Sequence, residues 1–118
     1  MLPKANRLTR RRDVQRVYSK GRGSAGEFIA IRALANRAQT FRLTVIISKK
    51  VAKRAVDRNR LKRLVRQAVQ ELTKDANSGQ KLKGQDIILT VYKDPKTPYT
   101  LTRVQDEVIK CFGHWHSV

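Results

Sequence analysis

The stretch VIISKKVAKRAVDRNRLKRLVRQ, residues 45–67, decides how this chain is read. Within it and just beyond, Leu61, Leu64, Val65, Ala68 and Leu72 recur at three- and four-residue spacing. That is one apolar helical stripe, and it predicts a helix over 57–74. Opposite the stripe lie Asn59, Lys62, Arg63 and Arg66, with Arg58 and Arg60 at its two margins. Asp57 stands where a negative charge favours a helix N-terminus. Upstream, residues 41–47 alternate as a strand does: Leu43, Val45 and Ile47 share one face, and Arg42, Thr44, Ile46 and Ser48 share the other. The first face can be core; the second is mixed enough to be a binding surface.

Working outward, residues 9–20 read as a short helix. Thr9 is placed to cap it, Val14 and Val17/Tyr18 supply the apolar spacing, and Gly21 sits where a C-terminal glycine belongs. Gly21, Gly23, Ser24 and Gly26 then form a turn-rich connection. Residues 28–34 read as a strand that the polar ANRAQT loop joins to the strand at 41–47, so an antiparallel pair is expected. After the long helix, DANSGQKLKGQ (75–85) breaks the pattern. A third strand spans 86–92, with Ile87, Leu89 and Val91 on one side and Ile88, Thr90 and Tyr92 on the other. KDPKTP connects it to a closing helix over 99–113, with Leu101, Val104, Val108, Ile109 and Phe112 inward. The order α-β-β-α-β-α makes an α+β sandwich, helices packed on a small sheet.

The 118 residues suit one domain, 1–118, with a radius of gyration of about 13–14 Å. There are 27 Lys and Arg against 9 Asp and Glu, a formal charge of +18. The charge is uneven: residues 1–66 hold 20 basic and 3 acidic side chains, whereas residues 67–118 hold 7 and 6. Such self-repulsion does not help a fold, so a polyanionic partner is its physical explanation. No apolar stretch approaches the roughly 18 residues that cross a bilayer. MLPKANRLTRRR has no apolar core of a secretory signal, and its faint likeness to a transit peptide is weakened by scarce Ser and by a helix that follows at once. One cysteine, Cys111, excludes an internal disulfide framework and a multi-Cys zinc site, and points to a reducing, cytoplasmic compartment.

Residues 49–66 carry nine basic side chains and one acid. A charge run is usually a solvated face, but stabilising surfaces mix signs, and like charges at i, i+3 and i+4 cost stability. Arg outnumbers Lys within RNRLKRLVR, and a planar guanidinium suits bidentate phosphate contact and stacking on bases. The clean apolar stripe holds these cations on a rigid element. A nucleic-acid surface is the better reading.

In this pattern, VIISKKVAKRAVDRNRLKRLVRQ resembles the signature of the bacterial ribonuclease P protein family. There a strand ending in Ser-Lys-Lys leads into an A-V-x-R-N-R-x-K-R-x-x-R helix. Ser48, Lys49, Lys50, Ala55, Val56, Arg58, Asn59, Arg60, Lys62, Arg63 and Arg66 match in register. LPKANRLTRRRDVQRVYSKGRG is similar to the family's opening. The resemblance implies a left-handed β-α-β crossover, and a protein that does not itself cut RNA. It joins a catalytic RNA, and the particle removes the 5′ leader of precursor tRNA with magnesium held by the RNA. It implies that Arg58, Asn59, Arg60, Lys62, Arg63 and Arg66, beside Lys49, Lys50 and Lys53, bind the catalytic RNA. A cleft between sheet and first helix would hold the leader, with Tyr18 matching an aromatic position there. Val14 departs from the family, which commonly has Phe, so one stacking ring is missing. From the residues themselves, a strand face bearing Arg42, Thr44, Ile46 and Ser48 beside Tyr18 can hold an extended single strand by stacking and charge.

Other chemistry is sparse. No GxSxG, P-loop, HExxH or GxGxxG occurs. His114 and His116 flank Trp115 but lack a third ligand nearby, so a frayed tail is the simpler reading. Cys111 reads as a small buried apolar residue. Asp106 and Glu107 are adjacent and point to different sides of a helix, so they form no acid/base pair. A ribosomal or assembly protein that binds rRNA shares the charge and size and is the rival reading. A DNA-binding protein lacks helix-turn-helix spacing, a protein-only nuclease lacks clustered carboxylates, and no membrane segment is present.

Overall fold

A computed structural model describes residues 4–36, 40–74, 84–93 and 100–116, with side chains in the last helix described as far as Cys111. Helix α1 (Arg11–Lys20) is followed by strands β1 (Arg22–Ala25), β2 (Ile29–Ala35) and β3 (Arg42–Ile47). Helix α2 (Ala55–Leu72), strand β4 (Gln85–Val91) and helix α3 (Leu101–His116) complete the order. The chain is therefore α+β: among the described residues three α-helices pack on a four-stranded mixed sheet of order β1-β2-β4-β3. The radius of gyration is 13.3 Å, within the range expected for a compact chain of this length.

The expected pairing of the second and third strands as neighbours does not occur. β4 lies between them, antiparallel to β2 and parallel to β3, in the register Arg32↔Ile88 and Thr44↔Ile88. The reason lies in β4 itself. Asp86 to Leu89 and Val91 are all buried, the pattern of a strand covered on both faces, which belongs in the middle of a sheet. The glycine-rich stretch taken for a connection contains β1, whose ladder with β2 runs from Arg22↔Ala33 to Ala25↔Ala30. Its backbone pairs where its side chains carry little strand preference.

Pleating sorts the sheet into two faces. Ile29, Ile31, Ala33, Leu43, Val45, Ile47, Ile87, Leu89 and Val91 join Val65, Ala68, Val69 and Leu72 of α2 and Val104, Val108 and Cys111 of α3 in the main core. Burying each such aliphatic chain contributes about 1.5–3 kcal/mol. Val69 belongs to the α2 stripe although the spacing left it out. Gln105 ties the two helices together, donating to the Ala68 carbonyl at 3.4 Å and to Glu71 at 3.0 Å. Ile109, expected inward, is 47% exposed because the inward arc of α3 is filled by Val104, Val108 and Cys111. Phe112, His114, Trp115 and His116 have side chains outside the described residues, as do much of the loop at 35–40, the break at 75–85 and the connector at 93–98.

The opposite face carries α1 and a smaller cluster of Leu8, Val17 and Ile88, with Val14 and Leu34 packed against it. α1 begins later than expected: its N-cap is Arg10, with no side-chain cap bond, and Thr9 plays no part. Gly21 is not left-handed either; its φ is −75°. Glycine is needed for close approach, since a Cβ there would stand 2.4 Å from the Val17 carbonyl oxygen and 2.8 Å from that of Ala33. Along the free edge of β3, the Leu8 N–H donates to the Leu43 carbonyl at 2.9 Å and Asn6 donates to that of Phe41 at 2.8 Å. Residues 6–8 thus blunt an edge that would otherwise be open for pairing.

Candidate nucleic-acid interface

The passage from β3 into α2 is built by Ser48. Its N–H continues the ladder onto the Val91 carbonyl (3.1 Å), and its own carbonyl accepts from Val51 (3.0 Å) and Ala52 (3.2 Å). Its hydroxyl accepts from the Lys50 N–H at 3.2 Å. Ser48, expected in the leader cleft, is the pivot of this turn. Arg58 reaches back from the first turn of α2 and donates to the carbonyls of Ala52 (3.1 Å) and Lys53 (2.7 Å). The turn bearing Lys49, Lys50 and Lys53, all exposed, is therefore stapled to the helix. Arg58, placed by sequence among the RNA-binding set, has this bracing work as well.

Beyond that turn α2 presents its cations on a rigid face. Asn59, Arg60 and Arg63 are exposed, and Lys62 and Arg66 are half-buried, with stems lying along the protein as long basic chains do. None of the four cations pairs with a carboxylate among the described residues. The one ion pair on the helix is a loose contact of 4.0 Å between exposed Arg54 and Asp57, worth little in water. From Asn59 to Arg66 the helix rises about 10 Å, so the row can meet several phosphates at once. A shallow cavity of about 510 Å³ opens beside it, lined by Val51, Ala52, Lys53, Arg54, Arg60 and Leu61 among others.

A second groove of about 540 Å³ lies on the other face of the sheet, between α1 and the strands. Tyr18 forms its α1 bank and Ala30, Arg32, Ile88 and Thr90 its floor, with Gly23, Ser24 and Ala25 of β1 at the side. Thr44 and Ile46 extend the same face, opposite Ile88 and Thr90 in the register. Tyr18 is 48% exposed, as a stacking surface must be. Arg32 fixes the bank by donating to the Tyr18 carbonyl at 3.1 Å and the Val17 carbonyl at 3.4 Å, a cation at the negative end of α1. Beyond the floor Tyr92, also exposed, is held by its hydroxyl, which donates to the Gly26 carbonyl and lies 3.2 Å from that of Glu27. Ala30, Arg32, Ile88, Thr90 and Tyr92 were not in the expected cleft, because their strands were not expected beside Tyr18. The parity of β4 was the available signal.

Arg42 corrects the sequence reading most. Its Nε and one terminal nitrogen grip both oxygens of Asp86 at 2.7 and 2.6 Å. The other terminal nitrogen lies 3.5 Å from Asp13 of α1. Asp86 is 3% exposed and also accepts from Asn36 at 2.8 Å. The hydrogen bond to Asp86 raises the guanidinium pKa above its ordinary value, against the opposing effect of partial burial. Arg42 is thus a brace joining β3, β4 and α1, not an available cleft cation.

Glu107, also buried, accepts from the Phe28 N–H at 3.2 Å and so holds the start of β2 to α3. Cys111 is buried beside it; burial first, then the charge of Glu107, pushes its thiol pKa up, which leaves it an inert apolar filler. Among the described residues no group of three His, Cys, Asp or Glu gathers that could hold a metal ion, and no helix is long and apolar enough to cross a membrane.

Comparison with known proteins bears on the family and the fold. A family model described as Ribonuclease P matches residues 2–116. The chain is 32% identical over 112 residues to a ribonuclease P protein component of Bacillus cereus, covering 94% of this chain and 91% of that protein. It is 40% identical over 80 residues to one from Pseudanabaena sp., 67% and 69% of the two chains. The solved structure of the Staphylococcus aureus RNase P protein superposes with a TM-score of 0.70 at 26% identity, over 95% of this chain and 96% of that one. The Thermotoga maritima RNase P protein shares the fold with a TM-score of 0.75 at 24% identity, over 92% and 96%.

Proposed function

The chain belongs to the ribonuclease P protein family, and from that premise we propose that it binds the catalytic RNA of ribonuclease P through α2 and the 5′ leader of precursor tRNA through the groove beside α1. The particle then removes the leader by endonucleolytic cleavage, with the RNA as catalyst and magnesium held by the RNA; the protein alone does not cut. The site of action is the bacterial cytoplasm.

The observation that carries this reading is the row Arg60, Lys62, Arg63 and Arg66: cations on a rigid helix, without carboxylate partners among the described residues. Double-stranded RNA hides its base edges in a deep, narrow groove, so such a helix reads phosphate position and shape. The groove is chemically different. It offers an exposed ring at Tyr18 and a floor of small, apolar and hydroxyl side chains, which suits an unpaired strand whose bases need a flat partner. Leader and catalytic RNA therefore meet opposite faces of one sheet.

The test is reconstitution. Purified protein, the cognate catalytic RNA and precursor tRNA are combined at low magnesium. Cleavage at the mature 5′ end should need the RNA and be strongly stimulated by the protein, while protein alone yields nothing. Equal processing with and without protein would refute the proposal and favour an rRNA-binding role.

A further inference from the structure

α1 carries a second set of cations that the reading above does not use. Arg10, Arg11, Arg12, Arg16 and Lys20 are exposed, as is Arg22 just beyond the helix, and none is ion-paired to a carboxylate among the described residues. Asp13, the one acid before Glu27, is turned towards Arg42 and neutralises none of them. Arg11, Gln15 and Tyr18 recur at i, i+4 and i+7, so Arg11 lies on the same side of α1 as the tyrosine, two turns away and outside the lining of the groove. Arg12 and Arg16, one turn apart, lie further round on the solvent side. These positions sit on the sheet face opposite α2, across a molecule at least 25 Å thick. RNA lying flat against α2 would have to wrap round the molecule to reach them, whereas a strand leaving the groove along α1 would pass over them.

We infer that the outer face of α1 is a second RNA surface: a phosphate rail, built by Arg11, Arg12 and Arg16, that holds the precursor's single-stranded leader upstream of the segment lying in the groove. The inference rests on the assignment of the groove to the leader. Unlike the groove, the rail has no aromatic ring, so it senses how far the leader extends and not which bases it contains.

The experiment compares wild type with Arg11→Gln/Arg12→Gln/Arg16→Gln, glutamine keeping the helix preference. Reconstituted particles are titrated with mature tRNA, with precursor whose leader just fills the groove, and with precursor whose leader runs well past it. Single strands lose about 0.7 of log–log salt slope per phosphate contact, so three contacts amount to about 2. In wild type the advantage of the long over the short leader should shrink about twentyfold between 50 and 200 mM salt. In the variant that advantage should vanish, with catalytic-RNA affinity and short-leader affinity within about twofold of wild type. A variant that keeps the wild-type advantage would make the strip a solvated face. One that loses affinity for the catalytic RNA itself would turn the strip towards that RNA, and either result overturns the rail. Failure of the groove assignment shows differently: wild type would then bind short-leader precursor no tighter than mature tRNA.

Discussion

Arg42 and Arg60 are the same residue type in the same basic half of the chain, and the fold uses them in opposite ways. Arg42 is tied to the chain's own acids, gripping Asp86 in a bidentate pair and approaching Asp13. Arg60 stands exposed on α2, with no carboxylate partner among the described residues. The difference shows what separates an arginine tied into the fold from one left available at the surface. It is not the local density of charge but whether the topology brings a buried acid within reach.

The comparison breaks most visibly at Asp86. Asp86→Ala would leave the Arg42 guanidinium only the longer contact to Asp13, at a cost of about 3 kcal/mol. Urea unfolding should show it, and the double variant Arg42→Met/Asp86→Ala should recover part of the loss. A double variant as unstable as the single would mean that the pair is not what Asp86 contributes.

Gly26→Ala is next. A Cβ there would stand 2.0 Å from a Glu107 carboxylate oxygen, so the buried glutamate must leave the Phe28 N–H or the backbone must move. A loss of about 1–3 kcal/mol is expected. Thermal melting at neutral pH measures it, and wild-type stability would mean that the Glu107 contact is dispensable.

A smaller effect follows from Cys111, whose thiol pKa is raised above its ordinary value of 9.0. Above that pH the unfolded chain gives up the thiol proton while the folded chain keeps it. The unfolded state is then favoured, and stability falls as the solution becomes more alkaline. Cys111→Ala should lack that part of the decline, visible as a flatter stability–pH curve on the alkaline side.

The smallest effect on stability belongs to the exposed row. Arg63→Gln should change the unfolding free energy by no more than about 0.5 kcal/mol, since no hydrogen bond or ion pair among the described residues is lost and some repulsion is relieved. A loss like that of Asp86→Ala would place Arg63 among the structural arginines.

Much of this was legible in the amino-acid order. α2 was, because a long amphipathic stripe depends only on local spacing; so was the core face of β3, from the alternation of Leu43, Val45 and Ile47. What was not legible depends on distant partners. A strand at 28–34 and another at 41–47 look like a hairpin until β4, which follows only after the whole of α2, inserts between them. β1 has almost no side-chain signature and exists through backbone pairing to β2. Arg42 and Ser48 lie on the mixed face of β3 as expected, yet their partners, Asp86 and the turn at 48–52, gave them structural work. Thr44, Ile46 and Tyr18 do share the groove face, while the remainder of its floor comes from strands whose neighbours only the topology reveals.

The central claim is that the exposed face of α2 grips RNA through its phosphates. Its most direct test is the affinity of Arg60→Gln/Arg63→Gln for the cognate catalytic RNA across a salt series. Two lost contacts to duplex should flatten the log–log salt slope by about 1.8 and weaken binding most at the low-salt end of the series. Wild-type affinity with an unchanged slope would contradict the account.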